Sequence, residues 1–287
     1  MQISKNNYIQ PTGSGSTFTL SVDAPPTKFN NYFIESCKAA EEIYSVKLGK
    51  FYILYSGGID SEYTLSVFLH LKMDVTPVII NLNPNYNNFD TAYAIKFCNK
   101  NNIEPLIINL DFDQFVKSGK FLEVSKICKS EIHHRAATAY IAGTLDGTVL
   151  LGDGEPYIRK NKEWDIVIYE HDYAVWNYFV ANGIYGTAHF NRYTPEMFLS
   201  FLADNRMIEL ANNNVPGKIS SNSSKFIMYN RHCDFNLEER PKYHGYEKIE
   251  NSKIFQHEDF QELRIIGKEW NGVYSKNYFE FIKQCAQ

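Results

Sequence analysis

Six consecutive residues, Ser56-Gly57-Gly58-Ile59-Asp60-Ser61, bring two hydroxyls, two glycines and one carboxylate into a single turn. Paired glycines let the backbone approach a ligand closely, because no Cβ stands in the way. The turn runs straight into helical spacing at Leu65, Phe68, Leu69 and Met73. The N–H groups of a first helical turn, and the positive end of the helix dipole, therefore face the same corner. Such a corner is a phosphate cradle. Ser56 and Ser61 would offer hydroxyls and N–H groups, and Gly57 and Gly58 N–H groups alone. Asp60 cannot hold phosphate directly, since like charges repel. It suits a Mg²⁺ that bridges phosphates, and it equally suits a helix N-cap worth about 1 kcal/mol. The lysine-bearing loop G-x-x-x-x-G-K-[ST] is absent from the chain, which argues against an ordinary nucleoside triphosphatase.

The elements that must position this turn follow from hydrophobic patterning. Phe51 to Tyr55 is an apolar run without helical period and reads as a buried strand. Strands are expected again at Val75–Leu82, Leu106–Leu110 and Thr148–Leu151. Helices are expected at Phe89–Cys98 and as one long element over Phe121–Ala142. Strands alternating with helices imply an α/β fold: a mainly parallel, doubly wound sheet covered on both faces. Ligands in such sheets lie at the carboxyl ends of the strands. Ser56–Ser61, Asn81–Asn83, Asp111–Asp113 and Gly152–Glu155 thus share one rim. Asp111 and Asp113 read as helix-start carboxylates rather than ligands. Arg135 could reach a phosphate, but a solvated helix face is its default.

Ser56 to Ser61 resembles the S-G-G-x-D-S signature of the PP-loop ATP pyrophosphatases, the adenine nucleotide alpha hydrolase-like superfamily. Its members include the synthetase domain of asparagine synthetase, tRNA-thiolating enzymes and PAPS reductases. The resemblance implies cleavage of Mg-ATP between the α and β phosphates, with AMP passed to the substrate and pyrophosphate held by Ser56, Gly57, Gly58, Ile59, Asp60 and Ser61. It implies an adenine site at Asn81 and Leu82, where a plain strand-end turn is nearly as good a reading. Gly152-Asp153-Gly154-Glu155 is similar to the G-[DE]-G-x-D-E segment of asparagine synthetase-like domains, although Pro156 interrupts the acidic pair. Gly152 and Asp153 would then border the nucleotide, and Asp153 and Glu155 would join Asp60 on the metal or orient a nucleophile. An acidic turn is the alternative. The family also brings distant cations to the pyrophosphate, and Lys225 and Lys242 are the candidates. They lie in a basic, aromatic stretch with Arg231, His232, Arg240, Tyr243 and His244, which would otherwise read as a surface strand.

The expected activity is adenylation of a carboxylate or amide on a small-molecule or nucleobase acceptor, followed by attack of a nitrogen nucleophile. Ammonia would come free or from a partner, and a homodimer is left open. Sulfur transfer or PAPS reductase-like chemistry is the alternative, though the E-C-G-L-H context of the reductases is missing around Cys285. A nucleotide-binding protein without catalysis is a third reading.

The 287 residues are 44% hydrophobic and 22% charged, with a formal net charge of -4. That balance is ordinary for a globular chain and argues against non-specific nucleic-acid binding. Five cysteines form no C-x-x-C pair and read as reduced thiols in the cytoplasm of a bacterial or virus-infected cell. No membrane-length apolar run appears, so no membrane is expected.

Three regions are expected: residues 1–48 as an N-terminal extension and helix, 49–156 as the nucleotide-binding core, and 157–287 as a mixed substrate region. Thr12–Thr17 reads as a hairpin turn ahead of a strand at Phe18–Val22, and residues 30–46 as an amphipathic helix. Beyond the core a strand is expected at Trp164–Tyr169 and a helix over Tyr173–Val180. A helix opened by Thr194-Pro195 is expected to run to Leu210 or Ala211, and a last one over Tyr278–Cys285. Residues 215–224 read as a loop, either a lid over the nucleotide or a plain connection.

Overall fold

The computed structural model describes residues 8–23, 28–156, 158–212, 222–239 and 247–285. Among these residues ten strands run in chain order: β1 Ile9–Thr12, β2 Thr19–Val22, β3 Lys50–Leu54, β4 Thr76–Asn83, β5 Leu106–Asp111, β6 Gly147–Leu151, β7 Ile158–Lys160, β8 Trp164–Tyr169, β9 Gly186–Thr187 and β10 Val273–Asn277. Five of them form one parallel sheet in the order β5-β4-β3-β6-β9. The α/β architecture expected from the alternation is the observed one.

Phe51, Ile53 and Tyr55 face one core, and Tyr52 and Leu54 the other. A strand covered on both sides needs an unbroken apolar run, and each large side chain so buried contributes about 1.5–3 kcal/mol. Helices Tyr32–Ser45, Ile59–His70 and Asn88–Lys100 supply side chains to the first core. Helices Lys120–Cys128, His133–Ala142 and Ala174–Asn182 supply the second. The chain leaves β3 toward β4 on one side, whereas β6 pairs on the other. This reversal of strand order opens a crevice between the carboxyl ends of β3 and β6.

The fifth strand, β9, comes from beyond residue 156, so the sheet draws on more of the chain than 49–156. The single helix expected over Phe121–Ala142 is two helices. Lys129 takes a left-handed φ of 49°, and Ser130 Oγ accepts the Ile132 N–H at 3.2 Å, which restarts the chain in a new direction. Likewise the helix begun by Thr194 and Pro195 ends at Leu202. The carboxylate of Asp204 then accepts the Arg206 N–H, and a second helix, Asn205–Asn212, follows. Both breaks lie inside continuous apolar periodicity, which hides them.

The Thr12–Thr17 stretch is indeed a hairpin turn between β1 and β2. It does hold an anion, but the anion is the chain's own Glu170. That carboxylate accepts Ser14 Oγ at 2.5 Å, Gly15 N at 2.8 Å and Gly272 N at 3.0 Å. Strands β10-β8-β7 form a separate antiparallel sheet. Among the described residues no helix is long and apolar enough to cross a membrane.

Candidate functional site

The crevice is a cavity of about 430 Å³, within the size range of small-molecule sites. All six residues from Ser56 to Ser61 line it, joined by Gly152, Asp153, Glu155, Arg135 and Lys225. Helix Ile59–His70 begins at Gly58, and no side chain caps it. The Ser56 hydroxyl accepts the Gly58 N–H at 3.2 Å and lies 3.1 Å from Ser61 Oγ, which donates to Gly58 O at 3.0 Å. These bonds tie the two ends of the turn together. Gly57 sits at φ +86°, where a Cβ would run into the Asp90 carbonyl. At the opposite wall a Cβ on Gly152 would come within 2.6 Å of Thr64 Oγ1 and 2.9 Å of the Asp60 carbonyl. The glycines therefore let two backbone segments and the start of the helix converge.

Asp60 does not cap its helix. Its Oδ1 accepts the Tyr229 hydroxyl at 2.7 Å and its Oδ2 the Lys225 ammonium at 3.0 Å. Lys225 also meets Glu155 Oε1 at 2.5 Å. Lys225 and Tyr229 are four residues apart on helix Asn222–Asn230, so they share a face. The Tyr229 ring stacks on Tyr63 of the loop's own helix, at 4.4 Å between centroids, and this stacking sets both groups over the carboxylate. Burial favours a neutral Lys225, but Asp60 and Glu155 outweigh it and hold its pKa above the ordinary value. Burial and the neighbouring Asp60 push Glu155 upward, against the pull of Lys225.

Arg135 is only 18% exposed and donates to Asp172 at 3.2 Å, with Asp153 at 3.8 Å. It is thus not on a solvated helix face. The acidic loop is fixed from behind by Asn191, whose N–H donates to Asp153 O at 3.2 Å and whose side-chain amide donates to Gly152 O. Tyr32 in turn donates to Asn191. Neither Asn191 nor Tyr229 was singled out from sequence. Tyr229 carried a signal in its four-residue spacing from Lys225. Asn191 sits in a single 3-10 turn, Phe190–Arg192, after β9 and carried none.

Apolar and aromatic side chains also line the cavity: Leu54, Val78, Ile80, Leu82, Phe89, Tyr93 and Val175. Alternation along β4 puts Val78, Ile80 and Leu82 on this face and Asn81 on the other. Accordingly Leu82 lines the cavity and Asn81 does not; the Asn81 side chain bonds Asn109 at 2.9 Å. The Leu82 N–H is taken by Asn87 Oδ1 at 2.8 Å. Asp111 caps helix Phe112–Lys117 through the Gln114 N–H, as its position at a strand end implied. Arg231 and His232 pair with Asp204 at 3.1 Å, away from the cavity. Lys225 lies on a helix and not on a surface strand, and residues 222–224 open that helix rather than close a loop. Lys242, Arg240, Tyr243, His244 and residues 215–221 fall outside the described residues.

Among the described residues four carboxylates (Asp60, Asp90, Asp153 and Glu155) and two cations (Lys225 and Arg135) line the cavity. Against these residues a polyphosphate would need added positive charge. Asp60 and Glu155 already converge on one ammonium, and hard oxygen donors of this kind fit Mg²⁺, which binds through one or two carboxylates and leaves its other positions to phosphates and water. Among the described residues no group of three or more His, Cys, Asp or Glu side chains is placed to hold a metal by itself. No cysteine lines the cavity. Burial raises the Cys98 thiol to about 11 and the Cys128 thiol to about 12.

The parallel sheet with flanking helices, and a glycine turn at its switch point, is consistent with a Rossmann-like nucleotide-binding fold. Compared with known proteins, the chain matches no protein-family model and no curated protein.

Proposed function

We propose that the chain is a Mg-ATP-dependent adenylating enzyme of the PP-loop type. It would release pyrophosphate and join a nitrogen nucleophile to an activated carboxylate or amide. The observation that carries this reading is one cavity lined both by the glycine turn with its lysine and by apolar side chains. An uncapped helix N-terminus with paired glycines and Lys225 lines it, together with the apolar side chains of Leu54, Val78, Ile80 and Leu82. Serine hydroxyls and amides at the turn bind the phosphate tail, and Lys225 and Arg135 oppose the charge that grows on departing pyrophosphate. Asp60 and Glu155 would hold Mg²⁺, which supplies charge neutralisation at the phosphates. Asn191 keeps the Gly152–Glu155 backbone in place, and Leu54, Val78 and Leu82 exclude water from the base. No thiol lines the cavity and burial raises the pKa of each one, which gives the sulfur-transfer reading no support.

Incubation with α-labelled ATP and pools of small carboxylic acids and amines tests the reading. Labelled AMP with stoichiometric pyrophosphate is expected. Labelled ADP would reject it.

A further inference from the structure

Strand β4 runs past the end of its neighbour β3. The Tyr55 N–H reaches Val78 O at 2.8 Å, by which point β3 has ended, while β4 continues to Asn83. Backbone groups alternate sides along a strand, so Ile80 C=O and Leu82 N–H face the side that β3 has vacated. Both residues line the cavity. Left open, such a pair complements the Watson–Crick edge of adenine, whose N1 accepts and whose 6-amino group donates. It would reject hypoxanthine, whose N1 carries a proton and whose O6 accepts. The pair is not open. Asn87 Nδ2 donates to Ile80 O at 2.8 Å, and its Oδ1 accepts the Leu82 N–H at 2.8 Å. A primary amide carries its acceptor and donor on one carbon, the same arrangement that adenine presents. Asn87 is buried, lines the cavity and stands at the N-cap of helix Asn88–Lys100. An asparagine there ordinarily bonds its own helix, but this side chain makes no capping bond. The Leu82 C=O is also taken, by the Asn85 and Tyr86 N–H groups.

We propose that Asn87 determines base selectivity by occupying the strand edge that would tell adenine from hypoxanthine, so that the site takes purine nucleoside triphosphates of either edge. This rests on the reading of the cavity as a nucleotide site. The base is then held by its faces rather than its rim. Phe89 and Tyr93 line the cavity with ring centroids 5.4 Å apart, and Val78, Ile80 and Leu82 supply aliphatic surface. Stacking on such surfaces is indifferent to the donors and acceptors at the edge of a base.

The test titrates the full chain with Mg-ATP and with Mg-ITP by calorimetry. The two match in size and charge, and ITP reverses the edge. Dissociation constants within about threefold of each other are expected, because stacking does not sense the difference. ATP bound about tenfold tighter or more would overturn the proposal and leave the nucleotide reading standing. Binding of neither would overturn both. Asn87→Ala frees the Ile80 C=O and the Leu82 N–H. That variant should favour ATP over ITP by about tenfold, the discrimination expected of one hydrogen bond. A purely structural role for Asn87 would change both affinities together, so an unchanged ratio in the folded variant would also overturn the proposal. The comparison in the parent chain decides by itself should the variant fail to fold.

Discussion

Replacing Lys225 by methionine removes an ammonium that Asp60 and Glu155 share while keeping the length of the side chain. Breaking a fully buried ion pair in this way costs about 3–5 kcal/mol, because a charge is left uncompensated. Here Lys225 is 13% exposed, but its partners are 26% and 25% exposed, so solvent screens part of the loss. A cost of about 1–3 kcal/mol is expected. The cost should also depend on pH. Without Lys225, the pKa of Glu155 in the folded chain rises further above its unfolded value. A group raised in this way contributes stability that is fully present below the unfolded pKa and lost as pH rises through the folded one. The variant should therefore fall furthest behind the parent at pH 8 and least at pH 5. Urea unfolding in metal-free buffer at both pH values measures this. A penalty independent of pH, or a variant more stable than the parent, would refute the idea that this ammonium balances two confined carboxylates.

Three further outcomes follow from the same geometry. Gly57→Ala forces a Cβ onto the Asp90 carbonyl at a left-handed φ; it should cost about 1–3 kcal/mol in thermal unfolding and weaken nucleotide binding. Asp90→Asn should leave stability little changed near pH 4 and raise it by about 1–2 kcal/mol above pH 7. The Asp90 carboxyl is held near 7 by burial and Glu247, and its stabilising proton is lost as pH rises through that value; a flat difference across pH would contradict this. Asn191→Ala strips the Gly152 carbonyl of its donor, a loss of about 1–3 kcal/mol. If it also leaves the acidic loop as protected from hydrogen exchange as before, Asn191 is not what holds it.

The sheet was legible because its signal is local. An apolar run such as Phe51–Tyr55 is buried on both faces wherever it lies, and a glycine pair between it and a helical period admits few backbones. The rim followed from topology alone, and with it the meeting of Ser56–Ser61 with Gly152–Glu155. Lys225 was found by charge and by family resemblance, but its partner Glu155 lies 70 residues away, a separation no spacing rule spans. Asn81 was misplaced by one residue of strand alternation, which turns a side chain to the opposite face. The helix breaks at Lys129 and Asp204 depend on single backbone torsions and one capping bond each. Glu170 filling the Thr12–Thr17 turn shows how a glycine-rich loop can find its anion inside the fold.

The central claim is that a triphosphate tail rests on the amides at the junction of β3 with helix Ile59–His70. A crystal structure with Mg²⁺ and the non-hydrolysable α,β-methylene analogue of ATP tests it most directly. The account predicts phosphate oxygens within hydrogen-bonding distance of the Gly58–Ser61 amides, the base between Val78 and Leu82, and Lys225 turned from Asp60 toward phosphate. A nucleotide seated elsewhere, with Lys225 still bridging Asp60 and Glu155, would contradict it.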